Sequence, residues 1–423
     1  MEERVVVIGG GPAGLTAAYF LAREGLRTTL FERLFEGRLA HPCGSMVAPV
    51  RGHMRFLESQ EGIYFEEAEF LFSRDMIVAR PGRMEFIAPN GRSFGMRITR
   101  RRRGRPIFQL DKGRLLSALA DRARAAGAEL RFGTRVGRLF TEGSRVVGVV
   151  VGGEVVRAGL VLSAEGLSRR FALEAGLYQA EPLAFFHIAS KEYSCPPLAE
   201  EELGQVTFMG QGHSRPPGSS MVYHTLGHDR LLVLLSVMVP RKAWPQQEAI
   251  TDLLEGNLAR SDWLAGLLAG CKEEATRGCR IIIQKPRALV GEGLIGLGDS
   301  VAPYGHSSIA IAMLMGRKAA ELASRTMREP EAAAGLYRAY DDLLRSSLFR
   351  GVEFEGKLIV NMHRMSDEEL DTLCDCLSGL NLEPFFVGGA LSQATATLSL
   401  LVRPRVIRNW SLISRVFNPR VTD

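Results

Sequence analysis

Val5-Val6-Val7-Ile8-Gly9-Gly10-Gly11-Pro12-Ala13-Gly14 decides the fold. The apolar run predicts a buried strand that turns at the glycines into a helix. Thr28-Thr29-Leu30-Phe31 then reads as a second strand, closed by Glu32, which stands 18 residues past Gly14. Each glycine has its own task. Gly9 permits the tight turn, Gly11 lets the backbone approach a pyrophosphate, and Gly14 lets helix and strand pack closely. The unpaired N–H groups of the helix start favour the anion, and Glu32 can accept from a ribose hydroxyl while disfavouring a 2′-phosphate. A glycine pattern alone is a weak signal; strand, helix and terminal acid in order make it a dinucleotide site.

Both FAD and NAD use this first unit, so the rest of the chain must choose between them. Gly159 to Ser168 reads as a strand ending in an acid-Gly turn, Ala164-Glu165-Gly166-Leu167-Ser168. Gly293 to Ser300 reads as another strand, carrying Gly298-Asp299 to the C-terminal edge of a parallel sheet, with Pro303 and a helix from about Ile309 to Met327 behind it. Ligands of open α/β sheets bind at that edge. A carboxylate there suits a ribityl hydroxyl, so FAD is the cofactor expected.

With these pieces in place the chain resembles the flavoprotein reductases and hydroxylases with the p-hydroxybenzoate hydroxylase type of FAD domain, and within them the geranylgeranyl reductase family. The resemblance rests on Gly9 to Gly14, the Pro42-Cys43-Gly44 turn, Gln109-Leu110-Asp111-Lys112, Ala164 to Ser168, and Gly298-Asp299-Ser300-Val301-Ala302-Pro303 with the Ala312 to Ala320 helix. It implies that Gly9, Gly11, Pro12, Ala13, Gly14, Glu32 and Arg33 hold the ADP half. Lys112 stands where the family usually has Arg, Asp299 and Gly298 hold the ribityl chain, and Cys43, Gly44, Ala164, Gly166, Ser308 and Ile309 complete the cofactor site. Cys43 and His306 are the catalytic candidates, against the plainer readings of a packing residue in a tight turn and a hydrogen-bonded helix start. The pattern departs from the family at Glu165, in place of Asp, and at His306-Ser307-Ser308, in place of G-x-G. The Y-x-W-x-F-P motif is absent, and its nearest candidate is Tyr223-His224-Thr225-Leu226.

The fold class expected is α/β: a Rossmann-like FAD domain with a parallel sheet, an interleaved antiparallel substrate domain, and C-terminal helices. The proposed boundaries are 1–40, 105–180 and 280–340 for the first, 41–104 and 181–279 for the second, and 341–423 for the third. Ala332 to Phe349 is periodic, and Ser366 reads as the cap of a further helix with acids in its first turn.

With 423 residues and 46% apolar content the chain can bury large cores, and a net charge of +6 is spread out without a nucleic-acid signature. Arg100 to Arg103 reads as a solvated loop. The six cysteines show no paired framework, and Cys374-Asp375-Cys376 lacks companion ligands for a metal, so a reducing cytoplasm is expected and no metal. Phe385 to Val402 carries no charge but is too polar to span a membrane comfortably. It is either a buried helix pair or, with Arg403, Arg405, Arg408 and Arg415 behind it, a peripheral contact with the inner membrane face.

The function expected is FAD-dependent reduction of C=C bonds in an isoprenoid or other lipid-like substrate, by hydride transfer from reduced flavin. With no second nucleotide fingerprint, electrons come from a transient donor such as NAD(P)H or ferredoxin, or from a redox partner protein. The alternative is an electron-transfer flavoprotein passing electrons to membrane quinone; a flavin monooxygenase ranks below it.

Overall fold

A computed structural model describes residues 4–38, 45–49, 53–97, 106–178, 181–239, 246–302, 308–382 and 390–417. His41, Pro42, Cys43, Gly44, Arg100 to Arg103, Pro303 and His306 fall outside these residues.

The strand Arg4–Ile8 is buried from Val5 to Ile8 and lies in a six-stranded sheet. Parallel neighbours are Arg27–Phe31 on one side and Leu160–Ser163 on the other, with Glu129–Arg131 and Leu294–Gly296 extending the parallel order. Val290–Gly291 adds an antiparallel edge. Parallel strands buried on both faces read as continuous apolar runs, which is why Val5 to Ile8 and Leu160 to Leu162 stood out. The helix Pro12–Arg23 has Pro at its first turn, where a missing N–H costs nothing. It packs on the long helix Ile309–Arg328 through a glycine contact: a Cβ on Gly316 would lie 2.3 Å from the Ala13 carbonyl oxygen.

The second large element is a seven-stranded sheet of the strands Lys272–Ile283, Ala184–Ser194, Arg230–Val239, Ser219–Thr225, Gly204–Met209, Arg83–Ile87 and Ser93–Arg97, in that order. It is mixed, because Gly204–Met209 runs parallel to Arg83–Ile87. That corrects the purely antiparallel expectation: the two strands are far apart in the chain, so no hairpin constrains their direction. One face carries Val206, Met221, Tyr223, Leu231, Val233 and Leu235 into a core with Ile250 and Leu254 of the helix Gln247–Leu258. The alternate residues of these strands face a cavity.

The cysteine reading is corrected by a disulfide between Cys195 and Cys271. Ser194 and Lys272 are partners at the end of one antiparallel ladder, so the next residue outward on each strand meets the other. This removes the cysteine argument for a reducing compartment. Cys374 and Cys376 sit buried in a separate apolar cluster, where burial pushes the Cys374 thiol up to about 12.

After the long helix come Ala333–Leu343, a π turn over Leu344–Leu348 and the helix Phe349–His363. The π turn interrupts what periodicity alone reads as one helix. Ser366 caps Asp367–Leu377 in a reciprocal box with Glu369. Three helices follow, Ala390–Leu401, Pro404–Arg408 and Trp410–Phe417. Among the described residues no helix is long and apolar enough to cross a membrane.

Candidate active site

One cavity of about 1770 Å³ runs from the glycine turn to the alternate face of the seven-stranded sheet. At its first end the wall is backbone. Gly9, at φ +108, has no room for a Cβ, which would lie 2.2 Å from the Ala164 carbonyl oxygen. Gly11 differs: it caps the opening helix, lines the cavity, and a Cβ there would meet no protein atom within 4 Å. The space in front of it is open for a ligand. Gly14 lies behind the wall, where a Cβ would be 2.0 Å from the Gly9 carbonyl oxygen, so it sets the approach of helix to strand.

Glu32 closes this end. Its carboxylate accepts from the Gly10 N–H at 2.6 Å and from the Leu34 N–H at 2.8 Å, and it also lines the cavity. A carboxylate has about four acceptor positions, so these bonds leave capacity for ribose hydroxyls. Pro12, Ala13, Arg33 and Lys112 share the wall. Lys112 opens the helix Lys112–Ala125, whose start Asp111 caps by accepting from the Arg114 N–H.

The Asp299 turn sits against the start of the helix Pro12–Arg23. A Cβ on Gly298, at φ +63, would come within 3.0 Å of the Ala13 Cβ. Asp299, Ala164, Gly166, Ser308 and Ile309 all line the cavity, and Ser308 caps the long helix by accepting from the Ile311 N–H. Two helix starts and one carboxylate therefore converge on a single space. Backbone room at Gly11, N–H donors at both helix starts and a cation at Lys112 fit a dinucleotide of the FAD type.

Sequence reading missed what braces this turn. Arg169 is 1% exposed, in a left-handed conformation at φ +50. Its guanidinium donates to the carbonyl oxygens of Asp299 at 3.1 Å, Ile282 at 2.9 Å and Ala302 at 2.7 Å. Tyr178 donates to the Ser300 carbonyl at 2.9 Å. Glu165, the departure from the family acid, accepts from the Phe171 and Ala172 N–H groups and the Ser163 and Ser168 hydroxyls. Burial raises its pKa, and these bonds work against that shift. The residue thus braces the next helix, Arg170–Glu174.

The far end of the cavity is side chain. Met84, Phe86, Ile188, Val222, Leu234 and Ile281 supply apolar wall from the seven-stranded sheet. Leu348 of the π turn and Leu358 and Met362 of the next helix close it opposite. Tyr223, in the stretch nearest to the missing aromatic motif, faces away from the cavity: its hydroxyl accepts from Arg83 at 2.6 Å and its ring packs near Trp263. Strand alternation instead turns Ser220, Val222 and His224 inward.

Two histidines line this chamber, His363 buried and His224 half-buried. His363 donates from Nδ1 to the Ile359 carbonyl at 2.8 Å, which leaves Nε2 to accept from the Ser220 hydroxyl at 3.1 Å. Burial lowers the pKa of both His363 and His224 to about 4, so both are neutral at pH 7.

Residues 4–190 match the FAD binding domain family. Digeranylgeranylglycerophospholipid reductase 2 of Methanopyrus kandleri is 25% identical over 391 residues, 89% of this chain and 91% of that protein. The digeranylgeranylglycerophospholipid reductase of Methanosphaerula palustris is 26% identical over 400 residues, covering 91% and 92%. Over most of its length the chain is similar to reductases of the digeranylgeranylglycerophospholipid type, and its first 190 residues carry the match to an FAD binding domain. Its fold agrees with a solved geranylgeranyl bacteriochlorophyll reductase-like protein of Thermoplasma acidophilum, at a TM-score of 0.74 and 18% identity over 97% of this chain and 99% of that one. The chain is an FAD-dependent oxidoreductase whose cofactor end is built largely by backbone. Its chamber-facing strand Ser219–Thr225 turns no Trp or Tyr inward.

Proposed function

We propose that this reductase saturates C=C bonds of a polyprenyl lipid held in the apolar chamber. The observation that carries the reading is continuity: the glycine turn, the Asp299 turn and the apolar sheet face line one cavity. In this reading Gly9, Gly11, Pro12, Ala13, Glu32 and Arg33 hold the ADP half of FAD, and Lys112 faces its phosphates. Gly298, Asp299, Ser308, Ile309, Ala164, Gly166 and Gly44 hold the flavin half, while Gly14 keeps the opening helix close to its strand. Bound there, FAD supplies two-electron redox chemistry, its hydride equivalent passing to one carbon of the alkene.

The chain's own part is to orient the alkene and exclude water. Met84, Phe86, Val222 and Leu234 bury chain methylenes at roughly 0.8 kcal/mol each. The other alkene carbon takes a proton, for which the Cys43 thiol is the proposed donor. His306 is the proposed second polar neighbour.

The division at about residues 40, 105, 180, 280 and 340 belongs to the same proposal. So do a transient donor, NAD(P)H or ferredoxin, and a peripheral contact with an anionic lipid surface. Leu398, Leu401, Val402, Ile407 and Trp410 are exposed beside Arg403, Arg405 and Arg408 on the last helices, a pattern that suits an anionic interface.

The test is single turnover without oxygen. Protein loaded with FAD and reduced by dithionite is mixed with a polyprenyl lipid, a quinone or oxygen, and flavin reoxidation is followed with product mass. Reoxidation by the lipid with a gain of two hydrogens supports the reading. Reoxidation by quinone alone, giving quinol, overturns it.

A further inference from the structure

The two chamber histidines differ in one respect. Both ring nitrogens of His363 have protein partners, the Ile359 carbonyl and the Ser220 hydroxyl. His224 has no hydrogen-bond partner among the described residues, yet burial holds its imidazole neutral. His224 is half-buried and faces the cavity, so a ligand there can complete the bonding that the protein leaves open.

Gln205 stands beside it. The two residues are direct cross-strand partners, and both line the cavity. Partners on one face of an antiparallel pair have Cβ atoms about 5 Å apart. One Gln205 amide hydrogen reaches the Thr207 hydroxyl at 3.4 Å, a long bond, which leaves its other N–H and its carbonyl oxygen. Around them the wall is apolar, with Met84, Val222 and Leu232 as neighbours on the same face.

Their position matters as much as their chemistry. The carbonyl of Thr225, the next residue after His224, accepts from the Gln109 amide, and Gln109 pairs with Met46. Leu110 donates to the Ser45 carbonyl at 2.9 Å. Ser45 and Met46 line the cavity and directly follow Pro42-Cys43-Gly44 in the sequence. The strand that carries His224 is thus tied to the segment of Ser45 and Met46, which line the same cavity.

We propose that His224 and Gln205 form a hydrogen-bonding subsite for an uncharged oxygen function, a hydroxyl or a carbonyl, on the chain that the chamber takes. This deepens the reductase reading and rests on it for the identity of the chain. A neutral imidazole offers one donor and one acceptor, and a carboxamide offers both kinds, which matches a hydroxyl or a carbonyl. A phosphate needs donors and positive charge, and the imidazole lone pair opposes it.

Binding is measured by the flavin absorbance change when oxidised, FAD-loaded protein is titrated with probes of similar chain: geranylgeraniol, a geranylgeranyl-substituted quinone, geranylgeranyl diphosphate and phytane. In the parent protein the alcohol or the quinone binds about tenfold or more tightly than the hydrocarbon, the worth of one or two buried hydrogen bonds. Which of the two leads identifies the oxygen function. His224→Leu removes most of that advantage and leaves phytane binding unchanged, and His224→Asn restores part of it.

Equal weakening of oxygenated probe and hydrocarbon in His224→Leu overturns the subsite, as does an advantage untouched by the change. A diphosphate that outbinds the alcohol only while His224 is present also overturns it. If His224→Leu does not hold flavin, His224→Asn and Gln205→Leu carry the comparison by the same criteria. No turnover enters these titrations, so failure of the C=C chemistry and failure of the subsite are read separately.

Discussion

The two ends of the cavity are built from different material. The cofactor end is backbone: missing Cβ atoms at Gly9, Gly11 and Gly298, the starts of Pro12–Arg23 and Ile309–Arg328, and a buried arginine bonded to carbonyl oxygens. The chamber end is side chain on one face of a mixed sheet, where residues can change without moving the backbone. Backbone sites tolerate little and recognise a fixed ligand; side-chain walls set which substrate fits.

Substitutions at two glycines break the comparison most sharply. Gly14→Val drives a Cβ into the Gly9 carbonyl, 2.0 Å away, so the expected result is loss of the folded, yellow protein in soluble expression and circular dichroism. Gly11→Val meets no protein atom within 4 Å, so folding should persist while FAD affinity falls by about 2–3 kcal/mol, roughly a hundredfold, in a flavin titration. Equal outcomes for the two would show that the turn is a packing device without a ligand.

On the chamber side, the disulfide bounds two strands of the wall. Cys195→Ser removes a link between residues 76 apart, which should lower stability by about 4 kcal/mol in oxidising buffer. Thermal unfolding with and without reductant checks it: reductant should bring the parent down to the variant.

Acid is the next lever. His363 is buried, and its pKa falls from 6.5 when unfolded to about 4 when folded. Its contribution is complete above pH 6.5, declines as pH falls, and is gone by about pH 4, a change of about 3 kcal/mol. Denaturant melts from pH 7 to 4 should lose this dependence in His363→Leu. A variant that keeps the full acid dependence would place the titrating group elsewhere.

Legibility in the sequence follows the same division. Gly9 to Gly14, Glu32 and the Ser366 cap were readable because a turn, a ribose acid or a capping box is specified within a few residues. Strand parity was not. In Tyr223-His224 only the completed sheet decides which side chain faces the cavity, and it is His224. Arg169 in Ser168-Arg169-Arg170 reads as a solvated charge, because the carbonyl groups it serves lie more than 100 residues away. Cys195 and Cys271 needed the Ser194–Lys272 register to meet. Cys43, Gly44 and His306, the residues on which the resemblance leaned for chemistry, lie outside the described residues, and their roles stand as proposals.

The claim that nucleotide site and lipid chamber are one cavity meets its most direct test in the visible spectrum of the flavin. Protein saturated with FAD should bind one flavin per chain, and addition of a polyprenyl alcohol should shift the flavin bands saturably. A protein that takes up no FAD, or one whose bound flavin stays spectrally unchanged while the lipid binds, would contradict the account.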